Sequence, residues 1–63
     1  MFQLHKVKEK RLNKGWTQSK LAEKSGVPQP TISHIENGTL KNPSIKSIKN
    51  IANALGISLE ELL

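Results

Sequence analysis

Apolar residues recur along this chain three and four positions apart, and the polar residues between them supply the starts and stops of helices. Leu4, Val7 and Leu12, with Arg11 among them, follow that spacing through a lysine-rich stretch and predict a first helix from about Phe2 to Asn13. Gly15 stands where a left-handed residue closes such a helix. Thr17 offers a hydroxyl to cap a second helix, with Leu21 and Ala22 on its inner face and Gly26 at its end. A fourth helix is capped by Ser44, carries Ile45, Ile48, Ile51, Ala52 and Leu55 as its buried stripe, and closes at Gly56. Ser58 and Glu61 have the capping-box spacing, and Leu59, Leu62 and Leu63 give a fifth helix an apolar face. No stretch of strand length alternates apolar with polar residues. The pattern predicts an all-α fold of five helices in one domain, residues 1–63, with no linker, repeat or low-complexity segment.

The third helix has an unusual head, Val27-Pro28-Gln29-Pro30. A proline disfavours the helical region for the residue before it, so Val27 and Gln29 are both expected to be extended. Gln29 then serves as N-cap and Pro30 takes the first helical position, where its missing N–H costs nothing. Ile32 and Ile35 turn inward, and Asn37-Gly38 ends the helix. Counting Gln18 as position one, Ala22 is fifth, Gly26 ninth, Ile32 fifteenth and Ile35 eighteenth. Each has a steric task. Two steeply crossed helices approach closely near Ala22, the tight turn needs a positive φ at Gly26, and the two isoleucines anchor the second helix of the pair.

Composition narrows the chemistry. The chain has 63 residues and no cysteine, which excludes disulfides and thiolate metal sites. His5 and His34 are too far apart to form a ligand pair by helical spacing, so no metal or other cofactor is expected. No apolar run approaches the ~20 residues of a membrane span, and the N-terminus lacks a signal-peptide core, so no membrane association is expected. No pair of carboxylates falls in one predicted pocket, no cysteine nucleophile or glycine-rich phosphate loop is present, and the chain has little volume for a cavity; an enzyme with a small-molecule substrate is not expected. Ten Lys and Arg against five Asp and Glu give a net charge of +5, which favours polyanions, nucleic acid ahead of anionic membranes.

The series Arg11, Thr17-Gln18, Leu21-Ala22, Gly26-Val27, Thr31-Ile32-Ser33, Ile35-Glu36-Asn37-Gly38, Asn42-Pro43-Ser44, Ala52 and Leu55-Gly56-Ile57 resembles the Cro and phage-repressor-like (XRE-type) helix-turn-helix regulators. The resemblance runs from about Leu4 to Leu62. It departs at Pro28, where family members usually carry Ser or Thr. It implies a five-helix lambda-repressor-like fold and a cytoplasmic, bacterial or phage-encoded regulator, a repressor in the first instance. Such a protein binds double-stranded DNA as a homodimer on a pseudo-palindromic operator, with half-sites about 34 Å apart. An antitoxin-like interaction module on the same fold is the alternative. By position, Gln18 is expected to put its backbone N–H and side chain on a phosphate. Gln29, Pro30, Thr31, Ser33 and His34 are expected to face the major groove, and Asn37, Lys41 and Asn42 to meet the flanking backbone. The family pattern also pairs Arg11 with Glu36 as an internal structural ion pair.

Charge placement adds something of its own. Between Lys24 and Lys41 there is no Lys or Arg, and Glu36 is the sole formal charge. Base reading by the third helix therefore rests on neutral groups, chiefly Gln29, with Ser33 and His34 assisting. A glutamine pairs with adenine N6 and N7 for roughly 1–3 kcal/mol of discrimination, so an A·T pair opposite Gln29 is expected. Pro30 offers only an apolar contact, for instance to a thymine methyl. His34, one turn after Pro30, is either a groove contact or an unpartnered surface imidazole, with metal binding a distant third. Trp16 reads as a core plug ahead of a stacking platform. Lys6, Lys8, Lys10, Lys14, Lys46 and Lys49 read as mainly solvated. Ile57, Leu59, Leu62 and Leu63 either pack on the first and fourth helices or contribute to a dimer contact.

Overall fold

A computed structural model describes residues 3–40 and 42–62 of the chain. Those residues form four α-helices and a closing 3₁₀ turn: α1 (His5–Asn13), α2 (Gln18–Ser25), α3 (Gln29–Glu36), α4 (Ile45–Leu55) and the turn Leu59–Leu62. No strand occurs among them. The fifth element is thus one 3₁₀ turn, not the expected α-helix. Only one half of its capping box is made: the Glu61 carboxylate accepts from the Ser58 backbone N–H at 3.1 Å. Four residues are too few to sustain a helix, and buried Leu62 holds the turn in place.

The helix boundaries follow local chemistry. Thr17 caps α2 by accepting from Lys20 N–H at 3.1 Å, and Ser44 caps α4 by accepting from Ser47 N–H at 3.1 Å. Gly26 and Gly56 close α2 and α4 in the left-handed region, with φ of 74° and 72°. The predicted start of α1 is early. Leu4 is its N-cap, and Phe2 lies outside the described residues.

The head of α3 differs from expectation by one residue. Pro28 is the N-cap, with φ −55° and ψ 140°, and Gln29 is already helical. Pro30 therefore occupies the second helical position, still inside the first turn, where no N–H has an intrahelical partner. The Pro28 carbonyl accepts from Ile32 N–H at 3.1 Å, which starts the helical ladder. That bond outweighs the pre-proline preference at Gln29. A proline has no side chain with which to cap, and the cap position carries no side-chain hydrogen bond.

The core holds Val7, Leu21, Val27, Ile32, Ile35, Ile48, Ile51, Ala52, Leu55 and Leu62, with Leu4, Trp16, Ala22, Leu40, Ala54, Ile57 and Leu59 packed around it. α1 rests on α3 and α4, and α2 lies between α3 and α4. Two expected core residues are exposed instead, Leu12 at 55% and Ile45 at 54%. At 100° per residue, Leu12 lies about 140° around α1 from Val7, and Arg11 takes the inward position beside it. Ile45 opens α4 one turn before its first buried residue, Ile48. The Gln3 N–H donates to the Leu62 carbonyl, and Lys10 faces Glu61 at 3.7 Å. The closing turn is therefore tied to the entry of α1.

Candidate nucleic-acid interface

α3 has two faces of different character. Ile32 and Ile35 are fully buried, while Gln29, Pro30, His34 and Asn37 are exposed at positions one, two, six and nine of the helix and its cap. Helical geometry gathers these four into one outward stripe, flanked by half-buried Thr31 and Ser33. The stripe carries amide, imidazole, hydroxyl and pyrrolidine groups and no formally charged side chain. Glu36, the one carboxylate of α3, points inward instead.

Glu36 is the centre of a polar knot behind this face. Arg11 donates to it through both Nε (2.8 Å to Oε2) and Nη2 (3.0 Å to Oε1), a bidentate pair. The third branch of the guanidinium, Nη1, donates to the Trp16 carbonyl at 2.6 Å. The two side chains are only 8% and 3% exposed, so each charge depends on the other for its solvation. The Gln18 amide nitrogen adds a further bond to Glu36 Oε1 at 3.1 Å. One carboxylate thus joins α1, the start of α2 and the end of α3. The expected ion pair is present, and no buried side-chain polar atom among the described residues lacks a partner.

The other expected residues fall as follows. The Gln18 amide nitrogen is held inward by Glu36 and not extended toward solvent, whereas its backbone N–H is a first-turn donor that no helical carbonyl can reach. Asn37 uses Oδ1 to accept from Thr39 N–H at 2.9 Å, which shapes the loop after α3 and leaves its amide nitrogen outside that bond. The Leu40 N–H returns to the His34 carbonyl at 3.1 Å. Asn42 is exposed, and Lys41 lies outside the described residues. Trp16 is half-buried against the core, with the Lys14 ammonium 5.1 Å from its ring centroid. Leu62 is fully buried and Ile57 and Leu59 pack on the core, while Leu63 lies outside the described residues.

Like the Gln18–Glu36 bond, a second polar contact between helices had no signal in the sequence. The Ser19 hydroxyl donates to the Gln29 side-chain oxygen at 2.9 Å, linking the first turns of α2 and α3 across the tight turn. Neither residue has apolar periodicity or a motif partner that would have marked the pair.

A helix pair joined by a glycine turn, with the second helix anchored on one side and polar on the other, defines a helix-turn-helix unit. The family model described as Helix-turn-helix matches residues 7–62, and the chain belongs to this family. Among its relatives is the HTH-type transcriptional regulator SinR of Bacillus subtilis (strain 168), 38% identical over 58 residues. That alignment takes in 92% of this chain and 52% of SinR, so the chain spans about half the length of this relative. The antitoxin HipB of Escherichia coli (strain K12) is 41% identical over 49 residues, covering 78% of this chain and 54% of HipB. The crystal structure of SinR, the master regulator for biofilm formation, in complex with DNA superposes with a TM-score of 0.86 at 35% identity, over 90% of each chain. SinR in its complex with SinI gives 0.92 at 36% identity, over 97% of this chain and 59% of that one.

Proposed function

We propose that this chain is the sequence-specific, double-stranded-DNA-binding domain of a transcriptional regulator, a repressor that reads the major groove with α3. The observation that carries this reading is the exposed, uncharged stripe of α3 held in place by a buried ion pair. Such a face suits hydrogen bonding to base edges, which present donors and acceptors and not net charge. The similarity to SinR, which has been crystallised with DNA, supports the same reading.

In this proposal Gln29, Pro30, Thr31, Ser33 and His34 face the bases. The Gln18 backbone N–H, Asn37, Lys41 and Asn42 meet phosphates. Attraction to DNA as a polyanion comes from the lysines of α1 and α4, outside the reading helix. The regulator works in the cytoplasm by binding alone, with no catalytic step, cofactor, small-molecule substrate or membrane partner. It occupies a pseudo-palindromic operator as a homodimer, so one half-site binds weakly and the second adds affinity through effective concentration. With Leu62 buried inside the protomer, a two-fold contact from the C-terminal face draws on Ile57 and Leu59.

Selection of binding sites from random duplex DNA tests this proposal. A symmetric enriched motif with an A·T pair opposite Gln29 is the expected result, and the absence of any enriched motif overturns it. A second reading, an antitoxin-like module that binds a protein partner, is favoured by the HipB similarity. It gains ground only if selection yields nothing.

A further inference from the structure

We infer that Asn37 is a site of spontaneous deamidation, and that its conversion puts a negative charge at the end of α3 and weakens the hold on DNA. The second part rests on the DNA-reading function proposed above; the first does not. Asn37 and Gly38 follow one another at the C-terminus of α3, and both are exposed. The chain has five asparagines, and Asn37 alone precedes a glycine. The others precede Lys14, Pro43, Ile51 and Ala54, whose side chains or ring hinder the backbone nitrogen that follows. At Gly38 no side chain stands in the way, and the space a Cβ would fill is clear to 4 Å. The Asn37 oxygen accepts from Thr39 N–H at 2.9 Å, so the carboxamide is folded back over the Gly38 peptide and not extended into solvent.

The reaction needs only water. The Gly38 backbone nitrogen attacks Asn37 Cγ; a Cγ–N bond forms, the Cγ–Nδ2 bond breaks, and the glycine N–H proton leaves with ammonia. Water then opens the cyclic imide at one of its two carbonyls, leaving aspartate or isoaspartate. In the closed cap the Asn37 ψ of 2° holds the Gly38 nitrogen off the line of attack, so ring closure waits for this angle to turn. Turning it releases the Gly38 N–H from the Ile35 carbonyl, a long contact at 3.4 Å, and the Leu40 N–H from the His34 carbonyl at 3.1 Å. Both bonds belong to the exposed end of one helix, where opening is local and leaves buried Ile32 and Ile35 in place. The product carries the first formal charge on an otherwise neutral face. The helix dipole opposes an anion at a C-terminus, and a facing phosphate opposes it again. Isoaspartate also adds one carbon to the main chain where α3 hands over to the loop. Free protein therefore loses affinity with age, at a rate set by one dipeptide.

The experiment incubates the wild-type chain and Asn37→Ser in mildly alkaline buffer. Peptide mass spectrometry follows each asparagine, and chromatography separates isoaspartate from aspartate. Conversion at Asn37 ahead of the other four asparagines is expected, and equal or slower conversion there overturns the inference. Asn37→Ser has no carboxamide to lose, while its hydroxyl oxygen can still accept from Thr39 N–H. DNA affinity is then measured on the motif selected by the fresh wild type. Asn37→Asp is expected to bind that motif roughly two- to tenfold more weakly, the scale of one charge near a phosphate in water. The affinity of the incubated wild type should fall in step with conversion, at unchanged helix content by circular dichroism. Asn37→Ser should keep whatever affinity it starts with. Affinity that survives conversion, or that Asn37→Ser loses at the same rate, overturns the charge switch and leaves the DNA-reading function intact. If the fresh wild type enriches no motif, that function fails and takes the switch with it, whereas the conversion at Asn37 is judged by mass spectrometry alone.

Discussion

Arg11 and Glu36 show what a single pair of residues contributes to a small helical domain. Their charges are buried, bidentate and linked to the Trp16 carbonyl and the Gln18 amide. Removing one partner strands the other in a low-dielectric site, so Arg11→Ala or Glu36→Ala should lower the unfolding free energy by about 3–5 kcal/mol in urea titrations. That approaches the whole stability of a small domain. Replacing both at once, as Arg11→Met/Glu36→Met, should recover most of the loss, because no buried charge then remains unpaired. Gln29→Ala behaves differently. It should leave stability within about 0.5 kcal/mol and remove roughly 1–3 kcal/mol of preference at one base pair, measured by competition between duplexes.

At the scale of elements, the turn and the head of α3 decide how the reading helix sits. Gly26 has φ +74°, and a Cβ built there meets nothing within 4 Å. The cost of Gly26→Ala is therefore backbone strain alone, about 1–2 kcal/mol by chemical denaturation, and Gly26→Asn should cost less. Pro28 leaves α3 without a side-chain cap, so Pro28→Ser should stabilise the domain by about 0.5–1 kcal/mol, visible as a raised melting temperature. The glycine stops, the Thr17 and Ser44 caps and the inward Ile32 and Ile35 were all legible in the sequence. Each is fixed by a local steric or hydrogen-bonding rule. The N-cap of α3 was not, since two prolines one residue apart make opposing local demands and the Ile32–Pro28 hydrogen bond resolves them. The exposure of Leu12 was missed because Arg11 takes the core position. The Gln18–Glu36 and Ser19–Gln29 bonds were equally hidden, as they join polar residues of different helices that no periodicity connects.

For the molecule as a whole, charge and specificity are carried by different parts. All ten Lys and Arg lie outside α3, whose stripe carries no formal charge. Each phosphate neutralised by a lysine contributes about −0.9 to the slope of log affinity against log salt. Lys46→Ala/Lys49→Ala is expected to weaken binding to every duplex alike and to flatten that slope. Gln29→Ala should leave the slope unchanged while altering base preference, and salt titrations on matched and mismatched duplexes separate the two effects.

The bond from Gln3 N–H to the Leu62 carbonyl ties the entry of α1 to the closing turn. Residues at the edge of a small domain ordinarily exchange their amide hydrogens through local fraying. Here the Gln3 amide is bonded to a closing turn that buried Leu62 anchors in the core. Its exchange should therefore be slower than that of an unbonded amide at a domain edge, and unprotected exchange would show that the closure frays. Any sequence joined before Gln3 or after Leu62 would also leave the domain from nearly the same point. For a linker, the domain is a loop with a single neck.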